Sequence, residues 1–190
     1  MKKKIGMTLV GSMVLAMVLQ VQANNYIQID NMTAFPFTKK EGFFVSPIQQ
    51  KSKLLAPFAE ARGSYMHEGV DVEAPLGTPL YAIEDGKIIK AAPDSKGVDA
   101  GGGHMVFIDH GNGIQSRYMH LSVYTVKAGD QVKAGDVIGF SGASGDATKA
   151  LLHYELRIDN IPVDPTFIFE SNGVFQQETP VVTPFLVTQT

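Results

Sequence analysis

Between Lys51 and Glu170 the apolar residues come in short runs, each cut off within a few positions by glycine or aspartate. No stretch keeps the spacing of three to four residues that an amphipathic helix needs to bury one face. Runs of four to eight residues bounded by turn formers are the pattern of strands. This stretch therefore predicts an antiparallel all-β domain over residues 51–170.

Individual turns follow from the same logic. Leu80-Tyr81-Ala82-Ile83 and Lys87-Ile88-Ile89 flank Glu84-Asp85-Gly86, which predicts a hairpin, since Asp-Gly between apolar runs favours a tight turn. Met105 to Asp109 and Ile114 to His120 flank His110-Gly111-Asn112-Gly113 and predict a second. Val126-Lys127-Ala128-Gly129-Asp130 recurs as Val132-Lys133-Ala134-Gly135-Asp136. A further strand runs from Leu152 to Ile158. Residues 24–50 are aperiodic, and 171–190 form a tail rich in Thr, Gln, Val and Pro that is read as disordered or as an added edge strand.

The first 23 residues have a different composition. Lys2, Lys3 and Lys4 precede an apolar run from Ile5 to Val21, and Val21-Gln22-Ala23 offers small residues for cleavage before Asn24. Residues 1–23 are thus expected to be a signal peptide, placing the mature chain in the periplasm or outside the cell, free of the membrane after cleavage; the alternative is an uncleaved anchor, since about 17 apolar residues just span a bilayer. Cleavage takes three of the 16 basic residues and none of the 19 acidic ones, leaving a net charge of −6. That balance excludes nucleic acid as a partner, which calls for a basic face. The chain has no cysteine, so no disulfide framework supports it.

Candidate chemistry concentrates in two segments, His67-Glu68-Gly69-Val70-Asp71 and His153-Tyr154-Glu155-Leu156-Arg157. Side chains two apart on extended backbone share a face. His67 and Asp71 then point the same way, which selects Asp71 over Glu68; His153 lies on the polar side of its strand. Two imidazoles and a carboxylate are a known donor set for a zinc ion that keeps one open position. The H-x-x-x-D spacing alone is weak, as most such pairs are surface residues.

The surrounding segments carry the assignment further. Met66-His67-Glu68-Gly69-Val70-Asp71-Val72 with Ala74-Pro75-Leu76-Gly77-Thr78-Pro79, then Ala82 to Ile88, Met105 to Gly113, Tyr118-Met119-His120-Leu121-Ser122, the paired Lys-Ala-Gly-Asp runs and Ile138-Gly139-Phe140-Ser141-Gly142 all stand in order. Together, from about Leu54 to Phe169, they resemble the M23 zinc peptidases, the lysostaphin or LytM group of peptidoglycan endopeptidases. The resemblance implies an antiparallel β-sandwich of the lysostaphin/LytM (duplicated hybrid motif) type with a groove over the metal. It implies Zn2+ held by His67, Asp71 and His153, with His120 as a catalytic histidine polarising the water. It further implies an exported enzyme hydrolysing peptide cross-links of peptidoglycan.

One position departs from that pattern. Family members usually have Gly, Pro and His where this chain has Lys149, Ala150 and Leu151. Leucine neither donates a hydrogen bond nor accepts a proton, and losing one such donor costs about 10²–10³ in rate. Lys149, Thr148 and Tyr118 are candidates to compensate. The competing reading is a non-hydrolytic, zinc-retaining protein that binds peptidoglycan or regulates another wall hydrolase. A biotinyl- or lipoyl-carrier reading, prompted by the repeat, lacks a modification lysine in the right surroundings at Lys87. His110 is expected to be structural, His104 to sit solvated in a glycine-rich loop, and Arg117 and Arg157 to be surface charges. Residues 24–50 are a candidate groove cover, with Asn24, Asn25 or Asn31 able to block the open zinc position.

Overall fold

A computed structural model of the protein describes residues 44–175. The signal segment 1–23, the asparagines of the candidate groove cover and the tail beyond Phe175 lie outside these residues. Among the described residues there are twelve strands: β1 (Leu54–Ala56), β2 (Ala61–Arg62), β3 (Tyr65–Met66), β4 (Val70–Glu73), β5 (Pro79–Tyr81), β6 (Gly86–Pro93), β7 (His104–Gly111), β8 (Ile114–Tyr124), β9 (Gln131–Val132), β10 (Val137–Ser141), β11 (Leu151–Ile158) and β12 (Ile161–Val163). One short helix, α1, spans Thr166–Ser171. No described helix is long and apolar enough to cross a membrane. The strand pairings are antiparallel, as the run lengths predict.

The main sheet runs β1-β4-β11-β8-β7-β6-β9, with β12 on β11, while β10 bridges β5 and the far half of β8. Alternation divides its central strands. Val70 and Val72 of β4, Leu152, Tyr154 and Leu156 of β11, Tyr118 of β8, and Val106 and Ile108 of β7 enter one core. Tyr154 meets Tyr118 and Phe169 edge-on, at ring-centroid distances of 5.2 and 5.5 Å, a geometry aromatic pairs favour. The alternate residues Asp71, His153, Glu155 and Arg157 are buried too. The β11 strand is therefore covered on both faces.

Phe44 to Gln50 joins this body. Val45 N–H donates to the Ile83 carbonyl, Tyr81 N–H donates to that of Pro47, and Ile48 is fully buried. At the other end Val174 is buried and Phe175 stacks on Phe169. Helix α1 was not legible in the apolar spacing. It starts after Asp164-Pro165, where the Asp164 carboxylate accepts from both the N–H and the hydroxyl of Thr166.

The second predicted hairpin is present as β7–β8. The first is not a hairpin. β5 pairs with β10, and β6 pairs with β7 and β9. The Val-Lys-Ala-Gly-Asp repeat explains the difference. In each copy the aspartate side chain accepts from the lysine N–H, and a glycine takes positive φ, 98° at Gly129 and 86° at Gly135, which suits a residue without Cβ. Each turn then docks on one residue through two backbone bonds. Gly129 N–H reaches the Ile88 carbonyl while Ile88 N–H reaches that of Asp130; Gly135 and Asp136 do the same with Ala82. These turns take the backbone groups that a β5–β6 hairpin would have used.

Candidate metal centre

Strand register brings Asp71 and His153 together: they are direct cross-strand partners in β4 and β11. His67 arrives from just before β4, fixed by His67 N–H to the Glu60 carbonyl and Ala59 N–H to the His67 carbonyl. Gly69 lets this segment lie against β11, because a Cβ there would stand 2.3 Å from the Tyr154 carbonyl oxygen. The three side chains are buried, at 2 %, 8 % and 8 % exposure for His67, Asp71 and His153.

Their facing atoms form a small triangle. His67 Nε2 is 3.0 Å from His153 Nδ1, His153 Nδ1 is 2.9 Å from Asp71 Oδ1, and His67 Nε2 is 3.2 Å from Asp71 Oδ1. Ligands of a tetrahedral zinc at its usual bond lengths are about 3.4 Å apart. The triangle is thus nearly the base that such an ion needs, and these are the three clustered donors found among the described residues.

The outward atoms are each engaged. His67 Nδ1 lies 2.8 Å from the Pro57 carbonyl, so it is the protonated nitrogen and Nε2 is left with its lone pair. His153 Nε2 lies 3.2 Å from Glu155 Oε1, which turns Nδ1 inward as an acceptor. Arg62 Nη2 donates to Asp71 Oδ2 at 2.6 Å, leaving Oδ1 for the cluster. Without a cation between them, the two imidazoles would turn N–H groups on Asp71 instead: burial alone would raise its carboxyl, but bonds from His153, His67 and Arg62 would hold it well below the usual range. Burial would likewise pull His153 down, while Asp71 and Glu155 would more than offset this and raise it to about 8, so a cation entering the triangle displaces a proton from Nδ1. Two imidazole lone pairs and a carboxylate oxygen aimed at one point constitute a site for a cation. The donor set fits zinc.

His120 stands beside the triangle, its ring 6.0 Å from that of His153 and at 78° to it. It occupies a break in β8. Up to Met119 the strand pairs with β11, and from Leu121 it pairs with β10. His120 makes the turn with φ of +63°, a conformation costly for a residue with a Cβ and typical of sites where the surroundings enforce it. Two loops do the enforcing: His120 N–H donates to the Gly102 carbonyl, and His120 Nδ1–H donates to that of Ser144 at 2.8 Å. Ser144 Oγ in turn accepts from His104 N–H and donates to the Leu121 carbonyl. Neutral His120 therefore keeps Nε2 unprotonated, and burial lowers its pKa.

Leu151 opens β11 on the face of His153, opposite Glu73. Of the candidate substitutes for a histidine there, Tyr118 is excluded. It is fully buried on the core face with its hydroxyl on the Tyr81 carbonyl. Thr148 and Lys149 are exposed in the loop before β11. His104 is half-buried at the start of β7, its ring 5.5 Å from that of Tyr124, rather than solvated in a loop. His110 bonds the Asp85 carbonyl and the Ser116 hydroxyl. Arg157 is not a surface charge: it is 7 % exposed and bonds Glu155, Glu68 and the Asn160 carbonyl. Arg117 stacks on Phe107, 4.7 Å from its ring centre. Glu155 and Arg62, which hold the ligands in place, were not foreseen. Strand parity put Glu155 on the face of His153, which was the available signal; Arg62 carried none.

A β domain that gathers these three donors at one point is a frame able to hold a metal ion, and residues 65–165 match the model of peptidase family M23. The chain belongs to that family. It is 37% identical over 135 residues to the DD-carboxypeptidase/endopeptidase Mpg of Neisseria meningitidis serogroup B, an alignment covering 68% of this chain and 30% of that protein. Among solved structures it resembles the antimicrobial peptidase lysostaphin from Staphylococcus simulans, with a TM-score of 0.59, 32% identity, and 78% of this chain and 61% of that one covered. A zinc-containing peptidase from Vibrio cholerae aligns at a TM-score of 0.58 and 30% identity, covering 64% of this chain and 38% of the other. The chain spans less than a third of the curated relative's length.

Proposed function

We propose that this chain is an exported zinc endopeptidase that cuts peptide cross-links in the bacterial cell wall, with turnover slowed by Leu151. The observation that carries the reading is the triangle of His67 Nε2, Asp71 Oδ1 and His153 Nδ1, each aimed by a bond to its other polar atom. These three residues would hold the ion. Bound zinc polarises a carbonyl and brings the pKa of water near neutrality. The Lys2–Lys4 and Ile5–Val21 segment supports export to the compartment where such a substrate lies.

The chain's own groups divide the remaining work. His120 Nε2, free of a proton because Nδ1–H is tied to the Ser144 carbonyl, takes a proton at the edge of the triangle. Its depressed pKa keeps it in that basic form at neutral pH. Arg62 balances the charge of Asp71. Leu151, on the His153 face, supplies no hydrogen bond to a developing oxyanion, a deficit of about 10²–10³ in rate.

The test is release of peptides from cross-linked peptidoglycan by the mature, zinc-loaded protein, beside Leu151→His. The wild type should exceed a metal-stripped control, and the variant should be faster by about 10²-fold. No product from either protein would refute the hydrolytic reading. Leu151 also favours a second one, in which the protein keeps zinc and binds wall peptides, alone or to regulate another hydrolase. Wild-type peptidoglycan binding with turnover gained only in the variant would select it.

A further inference from the structure

Glu155 occupies a position that only a carboxylate satisfies. It is 4 % exposed and flanked by two donors. On one side His153 Nε2 stands 3.2 Å from Oε1; on the other Arg157 Nε stands 2.7 Å from Oε2. Arg117 Nη1 lies 3.6 Å from the same Oε2. A guanidinium has no acceptor and cannot give up its proton, so the Arg157 side must always face an acceptor. Arg157 is itself held in place. Nη1 donates to the Asn160 carbonyl and Nη2 pairs with Glu68, the residue after His67. One buried arginine thus ties the His67 segment to the strand bearing His153, and orients the carboxylate between them.

We infer that Glu155 is a positioning residue which, under the constraint of Arg157, decides which ring nitrogen of His153 faces the metal centre. This rests on the zinc reading above. The ionised carboxylate offers one oxygen to each donor, so His153 keeps its proton on Nε2 and turns the Nδ1 lone pair toward His67 and Asp71. A glutamine of the same shape offers one oxygen and one NH2. With the oxygen claimed by Arg157, the NH2 faces His153, and Nε2 has to become the acceptor. The imidazole proton then sits on Nδ1, 3.0 Å from His67 Nε2 and 2.9 Å from Asp71 Oδ1, in the place a cation would take.

The test is zinc affinity, measured by competition with a chromophoric chelator, independent of peptidase activity. Glu155→Gln should bind zinc about 10–100-fold more weakly than wild type, the usual loss when a partner of a metal-bound histidine is removed. Gln binding as tightly as wild type overturns the inference. A reading that needs no variant is the ring ¹⁵N spectrum of the zinc-loaded wild type. A slowly exchanging proton on Nε2 of His153 supports the inference, and coordination through Nε2 overturns it. A wild type that holds no zinc refutes the metal reading as well; a zinc-binding wild type matched by Glu155→Gln refutes this inference alone.

Discussion

Replacing Gly69 by alanine tests whether the metal centre depends on the close approach of two strands. The new Cβ would lie 2.3 Å from the Tyr154 carbonyl oxygen, 2.9 Å from its carbon and 3.0 Å from Glu155 Cγ. Ordinary contact begins near 3.4 Å, so the backbone must separate by about 1 Å. The obstacle is not a flexible side-chain end. Tyr154 is paired to Val70 on one side and Tyr118 on the other, and its ring is fully buried. Overpacking of this kind costs about 1–3 kcal/mol, and the lower entropy of the unfolded alanine chain returns about 0.4–1 kcal/mol. A net loss of about 1.3 kcal/mol is expected, or roughly 3–5 °C in melting temperature for a chain of this size. Because His153 and Glu155 flank Tyr154, the shift also spreads the ligand triangle. Thermal unfolding in chelator, followed by zinc titration, measures both effects. Melting within 1 °C of wild type together with unchanged zinc affinity would show that β4 and β11 separate freely and that Gly69 plays no such part.

Two further perturbations probe the site and the scaffold separately. Zinc at about a hundred times its dissociation constant should stabilise the folded chain by about 2.7 kcal/mol; melting temperatures in zinc and in excess chelator should therefore differ by roughly 5–10 °C, and identical curves would count against a cation between His67, Asp71 and His153. Burial lowers the pKa of His110, so the folded state takes up this proton less readily than the unfolded one. Its contribution is complete above the ordinary histidine pKa of about 6.5 and is lost as pH falls through that value toward the folded one, at no more than about 1.4 kcal/mol per pH unit. His110→Gln should flatten that part of the stability-against-pH curve, read from denaturant midpoints; parallel curves for the two proteins would refute the assignment.

Local pattern was enough for the strand-rich class, the β7–β8 hairpin and the faces of β11, because a two-residue period and Gly-rich turns act over a few positions. The same parity placed His153 opposite Leu152 and Tyr154 and made Leu151 conspicuous, while ordered motifs gave the family. Register between distant strands was not local information. That Asp71 meets His153, that the two Lys-Ala-Gly-Asp turns claim the backbone of Ala82 and Ile88 and cancel the expected β5–β6 hairpin, and that β8 breaks at His120 all follow from partners tens of residues away. The burial of Arg157 is of the same kind: no sequence rule puts a guanidinium inside, and it is there because Glu155, Glu68 and the Asn160 carbonyl converge to receive it. Which atoms can ligate was written in residue types. Which nitrogen of each imidazole points inward was settled by carbonyls and carboxylates that only packing of the whole domain brings within hydrogen-bond reach.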